Sequence, residues 1–209
     1  MSTLNAVGRR HALRSLVAGL SLAPLMMAGP ARAEVSPDQA QAFVENASRE
    51  LVKVVNGPGT TEEKATAFQK IINEAVDINS VGRFCLGRYW RVATPEQQKD
   101  YIELFHRVLV LNITGKVGEY KGVAITIVHS APREDGVAVT STVTRPGEAP
   151  TRVDWLVSSE SGGPRIVDVI AEGTSLRLTQ RNDYASYMSR NNNSVAALID
   201  ALKKQATGS

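Results

Sequence analysis

Near residue 122 the spacing of apolar side chains changes once, from the period of a helix to the period of a strand. Upstream, Phe43, Ala47, Leu51 and Val54 recur three or four apart, as do Phe68, Ile71, Ile72 and Ala75. Tyr101, Leu104, Phe105, Val108, Leu109, Leu111 and Ile113 form a third and longer stripe. Downstream, Val123, Ile125 and Ile127 alternate with smaller or polar neighbours, followed by Val137, Val139, Ser141 and Val143, by Val153, Trp155 and Val157, and by Val167 and Val169. A single switch of this kind separates helices from strands along the chain. It predicts an α+β architecture and excludes an alternating βαβ order.

Start and stop signals agree with that division. Ser36-Pro37-Asp38-Gln39 and Thr94-Pro95-Glu96-Gln97 each pair an N-cap hydroxyl with proline at the first helical position and Gln three residues on. Thr61-Glu62-Glu63 opens the helix between them, after the stop at Asn56-Gly57-Pro58-Gly59. Asp77 caps a short helix running toward Leu86, and the long helix ends near Gly118. The turns Pro132-Arg133-Glu134-Asp135-Gly136, Pro146-Gly147 and Gly162-Gly163-Pro164 are short. Four strands so connected form an antiparallel meander. Helices over Asp183–Arg190 and Ser194–Gln205 close the chain.

The N-terminus carries a different signal. Arg9, Arg10 and Arg14 precede an apolar run from Leu16 to Met27, and Ala31-Arg32-Ala33 places small residues where signal peptidase reads. The run is too short for a spanning helix of about 20 residues. Residues 1–33 are therefore expected to be a cleaved export signal, by the general or the twin-arginine route, leaving a single domain over 34–209 in the periplasm. Four of the 24 basic residues and none of the 21 acidic ones lie before Glu34. The 34–209 segment is therefore close to neutral, and the basic whole-chain balance gives no support to nucleic-acid binding.

Chemistry-bearing residues are sparse. Cys85 is the only cysteine, which rules out an internal disulfide, and only His106 and His129 follow the export segment. No metal-ligand spacing, phosphate loop or nucleophile elbow is present. Asp154 and Asp168 are the best available acid–base pair, but both fall out of phase with the apolar positions beside them. That phase predicts a solvated or salt-bridged role. Catalytic, metal and cofactor sites are therefore not expected.

Six blocks carry a resemblance. Asp77-Ile78, Leu86-Gly87-Arg88-Tyr89-Trp90-Arg91, Thr94-Pro95-Glu96-Gln97, Tyr120-Lys121-Gly122, Val167-Asp168-Val169 with Glu172-Gly173-Thr174-Ser175-Leu176, and Arg181-Asn182-Asp183-Tyr184 occur in that order between Ala40 and Leu202. Together they resemble the toluene-tolerance/MlaC family of periplasmic phospholipid-binding proteins. The resemblance implies a four-stranded nuclear-transport-factor-2-like sheet covered by helices around an apolar lipid pocket. It also implies a carrier, without cofactor or catalysis, that ferries phospholipid between an outer-membrane lipoprotein complex and an inner-membrane ABC transporter with its MCE-domain ring; a carrier handing cargo between two sites is most simply a monomer. That traffic maintains outer-membrane lipid asymmetry. One departure is visible: the strand before Asp168 usually carries a Trp in the family, and here reads Gly163-Pro164-Arg165-Ile166. That departure bears on the far wall of the pocket and on its ligand; a branch of the same family is associated with hopanoid transport, so a polycyclic hopanoid is an alternative cargo, and a protein adaptor with a vestigial cavity is an alternative role.

The periodic positions supply the expected pocket lining. On the helices these are Phe43, Ala47, Leu51, Phe84, Phe105, Leu109 and Ile113; on the sheet, Val139, Val143, Val153, Trp155, Val157, Val167 and Val169. Each would be equally at home in a packed core. Tyr89 and Trp90, with apolar bodies and polar tips, are placed near an opening. Arg88 and Arg91 beside them are candidate phosphate contacts, or the owners of surface salt bridges.

Overall fold

The computed structural model describes residues 34–208, so the expected export segment, residues 1–33, lies outside the described residues. Helices α1 (Pro37–Asn56), α2 (Thr61–Ala75), α3 (Ile78–Leu86) and α4 (Pro95–Thr114) come first. Strands β1 (Ala124–Arg133), β2 (Gly136–Thr144), β3 (Thr151–Ser158), β4 (Arg165–Ala171) and β5 (Thr174–Ser175) follow, then α5 (Leu176–Arg190) and α6 (Val195–Thr207). The strands lie side by side in chain order, every pair antiparallel. This is the predicted α+β meander, with one strand more than expected.

The helix starts follow their capping residues. Ser36, Thr60 and Thr94 each accept a hydrogen bond from the backbone N–H three residues on, and Gln39, Glu63 and Gln97 reach back to the cap. Each such cap contributes about 1 kcal/mol. Asp77 caps α3 by accepting from Ser80 N at 2.9 Å. The α4 helix stops at Thr114, four residues short of Gly118, and a 3-10 turn over Val117–Tyr120 takes up the difference.

Three differences from expectation have local causes. The fifth strand arises because Glu172 (φ 50°) and Gly173 (φ 83°) make a two-residue turn with both φ positive, folding Thr174–Ser175 back onto β4. β1 runs through Pro132 and Arg133, residues expected in the turn; β1 is an edge strand, where a proline lacking an N–H is tolerated. α5 begins seven residues before Asp183. Its first turn exposes Leu176 and Leu178 and so carries no buried stripe to read, and Ser175 starts it by accepting from Leu178 N.

Two apolar regions result. Helices α3 to α6 pack around Tyr101, Phe105, Leu86, Met188, Tyr184, Leu198 and Leu202, with edge-to-face contacts of Tyr184 against Tyr101 and Phe105. The other region lies between α1, α2 and the sheet.

Cys85 belongs to the first region, with its Sγ–H 3.5 Å from the Arg177 carbonyl. Burial first, and the Asp168 carboxylate second, push its thiol from 9.0 up to about 12. Burial raises the Tyr101 and Tyr184 phenols as well. As pH rises above about 9, the unfolded chain releases these protons before the native one does, so stability falls from there toward pH 12. Urea midpoints measured at about pH 8 and about pH 11 are expected to show this loss. A midpoint independent of pH across that window would contradict it.

Candidate functional site

Small side chains meet at the middle of the second region. Ala47 and Ser48 on α1 and Ala75 on α2 face Val143, Val153, Val169 and Ala171 on the sheet. None is long enough to cross the gap, and a cavity of about 400 Å³ remains, within the range of ligand pockets. Val44 and Leu51 on α1, Phe68, Ile71 and Ile72 on α2, and Ile113 on α4 extend its walls. Tyr120, Val123, Ile125, Trp155 and Ile166 complete them.

Polar atoms of the sheet wall are turned toward one another. The Trp155 indole N–H donates to Ser141 Oγ at 2.9 Å, and the Ser141 hydroxyl donates to the Val153 carbonyl at 3.1 Å. The indole can therefore present its ring to the cavity without stranding a donor. At one end, Asn56 closes α1 onto the Tyr120-Lys121-Gly122 block. Its Nδ2 donates to the Val123 carbonyl at 2.9 Å, and its Oδ1 accepts from Gly122 N at 2.6 Å. Gly122 has φ 82°, and a side chain there would strike Pro146, so this turn requires glycine. Tyr120, held in this way, meets Phe68 edge-on at 6.1 Å. The other end is filled by Val35, Ala40, Val44, Val137, Val139 and Val157.

Seven of the residues chosen from periodicity line the cavity: Ala47, Leu51, Ile113, Val143, Val153, Trp155 and Val169. Phe43 lies one turn along α1, in an outer groove that shares Ala47, Ile71 and Ala75 with the cavity wall. Val139 and Val157 are fully buried in the packing that closes the end. Val167 is displaced by a β-bulge. Val157 pairs with Ile166 and Leu156 with Asp168, so the extra residue hands its place on the wall to Ile166.

The remaining five lie elsewhere. Phe105, Leu109, Tyr89 and Trp90 belong to the helical core, and Phe84 is covered by the guanidinium groups of Arg177 and Arg181. Tyr89 is buried and donates to Asn193 Oδ1 at 2.6 Å rather than standing at an opening. Arg88 and Arg91 are exposed away from the cavity and make no ion pair within the described residues. The α2 face was readable as a stripe, but not as cavity wall. Nothing in its spacing distinguishes the two.

The two carboxylates are structural. Asp154 accepts from Thr140 Oγ1 at 2.6 Å and pairs with Arg152. Asp168 accepts from Val169 N, Ser175 Oγ and Arg177 N, and pairs with the Arg177 side chain. Both are buried and neither lines the cavity. His106 hydrogen-bonds Asn73 of α2 at 2.7 Å, tying two helices together. Among the described residues no cluster of His, Cys, Asp and Glu has metal-ligand geometry.

A family model described as MlaC protein matches residues 45–204. The chain belongs to the MlaC family. The toluene tolerance protein Ttg2D of Pseudomonas putida is 29% identical over 137 residues, which are 64% of this chain and 63% of that protein. The match thus spans just under two thirds of that relative's length. In three dimensions this MlaC-family chain resembles a phospholipid-binding protein from Ralstonia solanacearum, solved in complex with a phospholipid. The TM-score is 0.71 at 24% identity, covering 81% of this chain and 98% of that one. That likeness shows a shared fold.

Proposed function

We propose that this protein is a periplasmic lipid carrier that takes phospholipid acyl chains into the cavity between α1, α2 and the sheet. The observation that carries the reading is the cavity itself: about 400 Å³ walled by hydrocarbon, with the wall's indole donor satisfied by Ser141. Family membership and the phospholipid held by a protein of the same fold support it.

The energetics suit such a role. Each methylene kept from water contributes about 0.8 kcal/mol, so even one chain of about sixteen carbons cannot cross an aqueous compartment unassisted. Acyl chains ask only for shape and apolar walls. A headgroup left in water asks for few contacts, which accounts for the absence of a convergent polar constellation in the cavity. Ala47, Leu51, Ile113, Val143, Val153, Trp155 and Val169 are the proposed chain contacts.

In this reading residues 1–33 direct export and are removed after Ala33. The carrier then exchanges phospholipid between an outer-membrane lipoprotein complex and an inner-membrane ABC transporter bearing an MCE-domain ring, sustaining outer-membrane asymmetry. No reaction and no cofactor are required.

The test is transfer between two vesicle populations. With fluorescent phospholipid in donor vesicles and none in acceptors, the purified protein is expected to accelerate transfer in proportion to its concentration. Transfer no faster than the spontaneous rate, together with no fluorescent lipid on the re-isolated protein, would contradict the carrier reading.

A further inference from the structure

The helical cover of the cavity consists of two pieces fastened to different parts of the sheet. α1 is tied to the β1 edge. Near its start, Ser130 Oγ of β1 donates to Gln41 Oε1 at 3.4 Å. At its end, Asn56 holds the backbone of Gly122 and Val123 that leads into β1. α2 is tied to β4 instead. Val76, just past its last turn, forms a parallel bridge with Ile166, and Asp77 N donates to the Ile166 carbonyl at 3.0 Å. The Arg165 guanidinium donates to the Asn73 and Glu74 carbonyls at the end of α2.

The seam between the two helices is held at one end only. Among the described residues a single hydrogen bond crosses it, from Lys64 Nζ to the Val55 carbonyl at 3.0 Å. That bond lies beside the Gly57-Pro58-Gly59 connection, where Val55 also packs with Phe68 and Ile72. Toward the other end the side chains become small. Ala47, Ile71 and Ala75 line both the cavity and an outer groove whose rim is Phe43, Asn46, Glu50 and Glu74. A wall one side chain thick therefore divides hydrocarbon-lined space from solvent. A second groove, between α1 and β1, shares Ser48 and Ile125 with the cavity, but the Gln41 and Asn56 bonds span it at both ends.

We infer that phospholipid enters and leaves the cavity between α1 and α2, past Ala47, Ile71 and Ala75. Parting the helices there breaks no sheet hydrogen bond and leaves the anchors of both helices in place. The connection at Gly57-Pro58-Gly59, with Gly59 at φ 117°, lies where a hinge has to absorb the change in angle. Two of the three wall residues are alanines, so little apolar surface meets water as the seam opens. Outside the seam the groove passes from apolar side chains to charges of both signs, Glu50 and Glu74 with Lys53 and Lys70 beyond them. That is the order of polarity along a phospholipid. The route rests on the carrier reading and adds to it the path that the cargo takes.

The experiment closes each groove reversibly and measures fluorescent phospholipid transfer between vesicles. Asn46→Cys with Glu74→Cys places a thiol on each side of the α1–α2 groove, and Arg49→Cys with Thr126→Cys does the same for the α1–β1 groove. All four positions are exposed and none lines the cavity. The native Cys85 is buried, so a short bis-methanethiosulfonate reagent joins the engineered pair. The α1–α2 link is expected to reduce transfer to the spontaneous rate, and a thiol reductant to restore it. Applied to protein already loaded with fluorescent lipid, the same link is expected to trap that lipid until reductant is added. Mere distortion of the cavity would release it. The α1–β1 link is expected to leave transfer unchanged. Undiminished transfer by the α1–α2-linked protein overturns the route. Transfer stopped by both links also overturns it, since α1 would then have to leave β1 as well. Unlinked protein that moves no lipid overturns the carrier reading, and the route with it.

Discussion

Introducing tryptophan at Val169 is expected to remove bound lipid from the protein while leaving it folded. Val169 pairs with Trp155 across β3 and β4, and both side chains line the cavity. A second indole there enters empty space rather than packed core, so the change in folding stability is expected to stay below the ~1–3 kcal/mol that overpacking a filled core costs. The space it fills is the space proposed for acyl chain. Every methylene displaced forfeits about 0.8 kcal/mol, and losing a few lowers occupancy by on the order of a hundredfold. Lipid extracted from equal amounts of Val169→Trp and unaltered protein measures this directly. Equal lipid content in the two would place the cargo somewhere other than this cavity.

The second large effect concerns stability. Asp168→Ala is expected to cost about 3–5 kcal/mol, because it strands the partners of a buried charge. The Asp168 side chain is 3% exposed and gathers two backbone N–H groups, a serine hydroxyl and the Arg177 side chain. These contacts pin the β4–β5 turn to the start of α5. A loss of that size is a large part of the stability of an ordinary domain. Asp168→Asn, which keeps an acceptor of the same shape, is expected to recover part of it. Urea unfolding of the three proteins tests the ranking; a loss below about 1 kcal/mol for the alanine variant would contradict it. The same geometry explains why a carboxylate out of phase with its strand is not surface. Asp168 is satisfied by its own turn and helix, a partnership that strand periodicity does not encode.

Local signals in the sequence were reliable where the physics is local. Ser36 and Thr94 start helices because a hydroxyl and the residue three positions on satisfy the same few backbone groups wherever they occur, and the helix expected to open at Thr61 is capped in the same way by Thr60, just before it. The switch of period near residue 122 foretold the order of helices and strands. The bulge at Val167 was not legible, since an inserted residue leaves the apolar composition of the strand unchanged and alters only which side chain faces inward. Nor was the division of the helices into two groups. Phe105 and Leu109 have the same spacing as Leu51, yet α4 turns them toward α5 and α6, a consequence of tertiary packing.

The cavity was the least legible feature. Ala47, Ala75, Val143 and Ala171 would close a core if the helices lay nearer the sheet, and their periodicity is the same in both cases. The decisive quantity is the gap between layers. Tyr89 and Trp90 mark the opposite error. Their amphipathic chemistry suggested an opening, and the fold uses it to tie the 3-10 turn over Gly87–Arg91 to neighbouring helix ends. Of their arginine neighbours, both exposed, Arg88 lies over the Tyr89 ring.

Whether the chain carries lipid is decided by native mass spectrometry of the protein produced with its N-terminal segment and purified without detergent. The expected species is a polypeptide lacking residues 1–33 with added mass matching a two-chain phospholipid, released on collisional activation. An added mass matching a hopanoid would keep the carrier and change its cargo. A bare polypeptide mass, unaltered after incubation with phospholipid vesicles, would contradict the carrier reading.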